Sequence, residues 1–479
     1  MSFQASMLAA IRNEPDFERA VLMSEWLARF LFSNACGVYR LDELEAVPAA
    51  RLPLLSFPTR TDREPELHIA SELYTHGGHT RLVKALISEI PANAAVLVTR
   101  PATRASLLSI LGISDERLHV VDVGDARHQV EQIASVVAGY KRVVLHVHPD
   151  DVICCIALRS LRRAQVDLQV ALVNHSDHTF SVGIGLADTI LEISTFGWAL
   201  RQSRGTEDKS SFIGIPLYSA PAADGPSVIP GMLLSAGSSY KFKPQAERSL
   251  PAVLSSVLKD IPEARLLVIG PKKIDPWWWL LKLRYRNRVA IQQRIPHADY
   301  LRQLQLANVY LDSFPITGGT AFTEALLLGC NVAGLMGASL GYGAADRLRS
   351  RDAVSFTKQI ADLIDQREAT LAAQREVRAA AARLHAPAAV RARLNKSCDD
   401  HVLFPPPEDF ILDVPCRSFE QAWLQQRSVS AAGFRTARQA RVLSVVAVRL
   451  ARAFGLQAAS LMPLFARAVF ALVTRRGAS

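Results

Sequence analysis

Between Leu67 and Leu335 the chain returns again and again to one pattern, a short apolar run rich in β-branched residues followed by a helical stretch of about a dozen residues. After an opening LHIASELY the runs are AAVLVTR, RLHVVDV, KRVVLHVH, LQVALVNHS and DTILEIS. Runs without polar alternation are strands covered on both faces, and parallel strands need helical crossovers to cover them. A parallel α/β domain is therefore expected over residues 65–220. The stretch SAPAADGPSVIPG (Ser219–Gly231) interrupts the rhythm, which restarts with MLLSAG, ARLLVIG, RVAIQQR, NVYLD and NVAGL. The fold expected is α/β, with two Rossmann-like parallel-sheet domains (65–220 and 231–350) facing a cleft. Helical additions are expected at 1–64, where three prolines end the helical spacing, and at 351–479.

Composition narrows the setting. The first twenty residues carry no basic leader, so a cleaved secretory signal is not expected and the protein reads as made and kept inside the cell. Six cysteines without paired spacing read as buried thiols. HVHPDD and CDDH contain metal-ligand types without a second cluster, which favours polar loops over a metal site. The formal net charge of +10 is uneven: no acid follows Glu420, whereas nine arginines do (427, 435, 438, 441, 449, 452, 467, 475 and 476). That distribution argues against a nucleic-acid surface and for a basic tail meeting an anionic one.

In open parallel sheets ligands lie beyond the carboxyl ends of strands, so those loops carry the candidates. DSFPITGGTAFTEALLLG follows NVYLD: Pro315 sets the turn, Gly318 and Gly319 let the backbone approach a ligand, and Thr320 opens a helix whose free amides attract a diphosphate. Glu324, one turn on, is placed to accept from sugar hydroxyls. The same spacing also serves as an ordinary helix cap.

The segment RQLQLANVYLDSFPITGGTAFTEALLLGCNVAGL resembles the donor-binding segment of GT-B glycosyltransferases, in particular the O-GlcNAc transferase-like group. SAGSSYKFKP resembles that family's diphosphate-contacting loop and assigns Lys241 to the phosphates, with Lys243 as a substitute. RIPHADYLRQL resembles the segment bordering the nucleobase, with Tyr300 where uridine-using relatives carry histidine and Gln303 where they carry arginine. The resemblance implies a nucleotide diphosphate-sugar as donor substrate, no cofactor, and hexosyl or N-acetylhexosaminyl transfer to a protein, glycan or lipid-linked acceptor. It also implies bacterial relatives that build polysaccharides or glycoconjugates. With no D-x-D motif after a suitable strand, metal-independent chemistry is expected, with amides, Thr320 and Lys241 meeting the leaving diphosphate. A nucleotide-sugar epimerase of the same fold and a non-catalytic nucleotide-binding scaffold remain as alternatives.

In the first domain, ELYTHGGHTRLVKAL places Gly77, Gly78 and His79 in a loop expected on the acceptor side. His79 suits a general base, or serves as a cap within its own loop. ALVNHSDHTF puts His175, Asp177 and His178 on the same rim, with Asp177 either orienting the catalytic histidine or acting in its place; turn-forming polar residues are the plainer reading. DPWWWLLKLRYR reads as a helix packed on its sheet, capped by Asp275, rather than as a surface for membrane or partner. In RTARQARVLSVVAVRLARAFG, five arginines fall on one helical arc opposite Leu443, Leu450 and Phe454. This is the pattern of a helix lying on anionic membrane, or of one closing on the first domain with its arginines in water. Peripheral attachment at the inner membrane face is the location that the first alternative implies.

Overall fold

A computed structural model of the protein describes residues 3–34, 37–55, 62–75, 77–90, 94–219, 228–245, 247–337, 340–410 and 442–454. These fall into two compact units, one drawn from 1–191, 201–210 and 423–479, the other from 192–200 and 211–422.

The first sheet holds β1 (Glu64–Ala70), β2 (Ala95–Val98), β3 (Leu118–Val120), β4 (Tyr140–His146), β5 (Gln169–Asn174), β6 (Thr189–Glu192) and β7 (Ser210–Phe212), in the order β3-β2-β1-β4-β5-β6-β7. β1 runs parallel to β2 and β4, β2 to β3, and β4 to β5. The chain thus steps outward from β1 in one direction and then resumes on its other side at β4. That reversal leaves a crevice beyond the ends of β1 and β4, since the loops leaving them diverge to opposite faces.

Both faces of this sheet are covered, as the unbroken apolar runs require. On one, Val83, Ile87, Leu107 and Leu111 pack on Ala70, Val96 and Val98. On the other, Trp26, Leu27 and Leu31 of the helix Phe17–Asn34 share a core with Leu67, Ile69, Val143 and Leu145. The N-terminal helices accordingly form a layer of this unit. The helix Leu443–Phe454 joins the same core: Val442 and Val446 are fully buried, and Arg449 Nε donates to the Ser6 carbonyl at 3.2 Å. Leu443, Leu450 and Phe454 have side chains outside the described set, as do seven of the nine tail arginines in their entirety.

The second sheet repeats the plan with β8 (Met232–Ala236), β9 (Arg265–Ile269), β10 (Val289–Gln292), β11 (Val309–Leu311), β12 (Asn331–Leu335) and β13 (Arg349–Ser350), in the order β10-β9-β8-β11-β12-β13, each neighbouring pair parallel. Its reversal lies between β8 and β11. Leu254, Val257 and Leu258 of the helix Leu250–Asp260 and Phe356, Ile360 and Leu363 of the helix Ala353–Ile364 fill the core over Leu233, Val268 and Leu311. Ser249 caps the first of these helices and Asp352 forms a capping box on the second, so each starts where the sequence supplies an acceptor for its free amides. The helix Glu368–His385 is pinned to the same sheet by Gln374, whose amide bonds both the N–H and the carbonyl of Val332. Residues 351–399 therefore build the second unit rather than a separate C-terminal region.

The four described cysteines, Cys154, Cys155, Cys330 and Cys398, are buried free thiols. Among the described residues no helix is long and apolar enough to cross a membrane.

Candidate functional site

The loops leaving β8 and β11 meet. Lys241, in the short helix Ser239–Phe242 after β8, donates through Nζ to the Thr317 carbonyl at 3.2 Å, and its own carbonyl accepts from the Ile316 amide at 3.3 Å. Burial pushes the Lys241 ammonium below its ordinary value, while Asp312 pulls the other way. A desolvated cation in such a place gains by meeting an anion.

Beneath the turn sits a group that sequence reading did not single out. Both carboxylate oxygens of Asp312 accept from the Gly318 amide at 2.9 Å, and Arg349 pairs with Asp312 at 2.7 Å and with Asp346 at 2.5 Å. A Cβ on Gly318 would lie 2.2 Å from Asp312 Oδ1, so only glycine permits this brace. Gly319 has φ +59° and immediately precedes the helix Thr320–Leu327, another position that disfavours a side chain. The peptide Phe314–Pro315 is cis. Thr317 is buried, and its hydroxyl has no hydrogen-bond partner among the described residues.

Tyr300, on the helix His297–Leu306, and Glu324 converge on the same end of the sheet. Burial first, and then Tyr300, Asp312 and Glu324, raise the Tyr310 phenol well above its ordinary value, which places all three around one strand. The structure thus gathers Lys241, Tyr300, Gly318, Gly319, Thr320 and Glu324 at the reversal point of the second sheet.

In the first unit the reversal point is lined by histidines. Gly77, at φ +122°, precedes the helix Gly78–Ser88 and brings His79 to the end of β4, where its Nε2 donates to the His146 carbonyl at 2.8 Å. A carbonyl only accepts, so the proton sits on Nε2 and Nδ1 keeps its lone pair. Burial lowers the His79 pKa and holds the ring neutral. The His175 ring lies 4.4 Å away, centroid to centroid.

Behind these rings a row of polar side chains crosses three strands. Glu66 accepts from Arg142 Nε at 2.7 Å and from His68 Nε2 at 2.8 Å; His68 Nδ1 faces His146 Nε2 at 2.9 Å, and His146 Nδ1 faces His175 Nε2 at 2.9 Å. Glu66, His68 and His146 are all buried. With neutral rings, the carboxylate at one end decides every tautomer. His68 donates to Glu66, His146 to His68 and His175 to His146, leaving the His175 lone pair on Nδ1.

The contacts of Asp177 and His79 run to different groups. The buried Asp177 carboxylate pairs with His178 Nδ1 at 2.8 Å and the Arg204 guanidinium donates to the Asp177 backbone carbonyl, while the His79 ring is held by the His146 carbonyl. The aspartates of HVHPDD are engaged within the fold: Asp150 pairs with Arg29 and Arg100, while Asp151 caps the helix Val152–Arg163 and accepts from Ser71 and Thr99. Burial alone would raise the Asp150 carboxyl, but His148, Arg100 and Arg29 hold it well below the usual range.

No protein-family model matches the chain, and no curated protein matches it in sequence. Solved structures do. HepE of Anabaena crystallised with UDP superposes with a TM-score of 0.53 at 12% identity, over 70% of this chain and 100% of that one. The same protein with UDP and glucose gives 0.51 at 14% identity, over 70% and 99%. The pneumococcal O-GlcNAc transferase GtfA, in complex with UDP and GlcNAc, gives 0.50 at 9% identity, over 70% and 99%. Likeness at such identities is a likeness of fold, and the fold of this chain is GT-B.

Proposed function

We propose that the protein is a glycosyltransferase that moves a sugar from a nucleotide diphosphate donor to a hydroxyl of a protein, glycan or lipid-linked acceptor, without a metal ion. The observation that carries this reading is the junction of Lys241 with the Thr317–Thr320 turn at the reversal point of the second sheet. A half-buried ammonium, the free amides of a helix start and the Thr320 hydroxyl are the donors that a leaving diphosphate needs, fixed before the reaction begins. The three solved structures named above were crystallised with UDP, which accords with a diphosphate ligand.

In this reading Glu324 accepts from sugar hydroxyls and Tyr300 borders the base. His79 is the general base of the first unit: the acceptor oxygen attacks the anomeric carbon, the bond to the diphosphate breaks, and the acceptor proton passes to His79 Nδ1. Lys241 and the turn amides receive the charge of the departing diphosphate. His175 and His178 contact the acceptor. The test is calorimetric titration of the purified protein with a panel of nucleoside diphosphates and nucleotide sugars, followed by assay for slow donor hydrolysis. Binding of a nucleotide sugar that Lys241→Ala weakens supports the reading; a folded protein that binds none of the panel overturns it.

A further inference from the structure

The segment Pro271–Arg288, which links β9 to β10, was expected to pack on its sheet, and only part of it does. Trp278 is buried edge-on against Phe242, with ring centroids 5.4 Å apart, and Leu281 is buried beside it. Asp275 does not cap the helix Trp279–Arg284; its carboxylate accepts from the Lys272 amide at 2.9 Å. The outer side is apolar and open: Ile274 is 75% exposed, Trp279 59%, Leu280 75% and Leu283 61%. Four large apolar side chains exposed within ten residues form a patch, not the scatter of single apolar residues that any surface carries.

The exposed charges of this segment have one sign. Lys272, Lys273, Lys282, Arg284 and Arg286 are all exposed, and none of them forms an ion pair among the described residues. Asp275, the one acid of the segment, is buried. A second copy of this chain meeting the patch face to face would set these bases against themselves. Tryptophan and leucine framed by lysine and arginine suit a surface that is anionic outside and apolar beneath.

We infer that the segment Lys272–Arg286 docks the protein on an anionic lipid surface, with Trp279, Leu280 and Leu283 entering the headgroup boundary and the five bases meeting lipid phosphates. This goes beyond the proposed reaction and does not depend on it. The patch is tied to the loop after β8: the Lys272 amide donates to Ser239 Oγ at 3.0 Å, and Trp278 packs on Phe242, the neighbour of Lys241. Docking therefore holds the candidate diphosphate loop close to the membrane surface.

Co-sedimentation of the full chain with phosphatidylcholine vesicles, with and without phosphatidylglycerol, tests the inference. Binding is expected only with the anionic lipid and is expected to weaken as salt rises. A variant carrying Leu280→Ser and Leu283→Ser should bind at least tenfold more weakly, with an unchanged circular dichroism spectrum because both residues are exposed. Brominated acyl chains should quench tryptophan fluorescence in the wild type, and less in Trp279→Phe. Undiminished binding of the serine variant would assign attachment to another part of the chain and overturn the inference. A wild type that ignores anionic vesicles at low salt, or one that self-associates through the patch instead, would overturn it too.

Discussion

Arg349 holds Asp312 through a 2.7 Å ion pair closed off from solvent, and Asp312 in turn receives the amide of Gly318 on both oxygens at 2.9 Å. The turn that presents its amides at the helix start is thus fastened from below by a charge pair, with Asp346 as a second anchor for the guanidinium. Arg349→Met should leave two carboxylates buried and uncompensated, at a cost of about 3–5 kcal/mol in urea unfolding. A loss below about 1 kcal/mol would show that the brace is not what holds the turn.

The Lys241 ammonium donates to the Thr317 backbone carbonyl and has burial against it, so an anionic ligand should be its better partner. Lys241→Ala should weaken nucleoside diphosphate binding by about 1.5–3 kcal/mol, the range of a hydrogen bond to a charged group. Titration calorimetry measures it, and unchanged affinity in a folded variant would remove Lys241 from the site.

His79→Ala should lower turnover by about two to four orders of magnitude and leave donor affinity nearly unchanged. Because burial lowers the His79 pKa, the acid limb of kcat/KM should fall below the usual histidine value of about 6.5. An acid limb at or above that value would point to another base.

Much of this arrangement was legible in the sequence. Eleven of the thirteen strands coincide with apolar runs; β7 (Ser210–Phe212) is two serines and one phenylalanine, and β13, at two residues, is too short to carry a pattern. The Gly318–Thr320 turn stood out as paired glycines at a helix start, a pattern shared with ordinary caps, and Lys241 stood out only through the resemblance of SAGSSYKFKP to a diphosphate-contacting loop. Arg349 was not, since its partner Asp312 is 37 positions away and pairing at that range leaves no local spacing. Glu66 and His68 did leave a trace: two polar residues at i and i+2 within a strand share one face, and in a buried strand each must find a partner. That trace becomes informative only once β4 and β5 are known to lie alongside, bringing His146 and His175 into line. That the N-terminal helices share the core of the first sheet was not legible for the same reason, because which sheet an apolar helix face covers is decided by topology and not by its periodicity.

His385 provides a pH handle in the second unit. Burial, opposed by the hydrogen bond to the Ile215 carbonyl at 2.8 Å, brings its pKa down from 6.5 to about 4. With the folded value below the unfolded one, this contribution to stability is complete above about pH 6.5. It is lost as pH falls toward 4, because the unfolded chain takes the proton first. From pH 7 to 5 the loss attributable to His385 should be about 2 kcal/mol. His385→Gln keeps a donor for Ile215 and cannot titrate, so the difference between its urea midpoints at pH 7 and pH 5 should shrink accordingly. An equal shift in wild type and variant would mean that His385 does not titrate as its burial requires.

The row Glu66, His68, His146 and His175 makes the sharpest forecast, because one carboxylate sets the direction of three hydrogen bonds. In protein labelled with nitrogen-15 histidine, two-bond correlation spectra should show His68, His146 and His175 as Nε2–H tautomers. Glu66→Gln should reverse them. Arg142 can only donate, so the new amide must turn its oxygen to Arg142 and its NH2 to His68. His68 Nε2 would then have to accept, its Nδ1 to donate to His146 Nε2, and His146 Nδ1 to donate to His175 Nε2, leaving the proton of His175 on Nδ1 and its lone pair turned inward. His79 is outside the row, held by a carbonyl, and should keep its tautomer. If His175 is unchanged in a folded Glu66→Gln protein, the row transmits nothing, and the buried histidines are packing with polar atoms that happen to be satisfied.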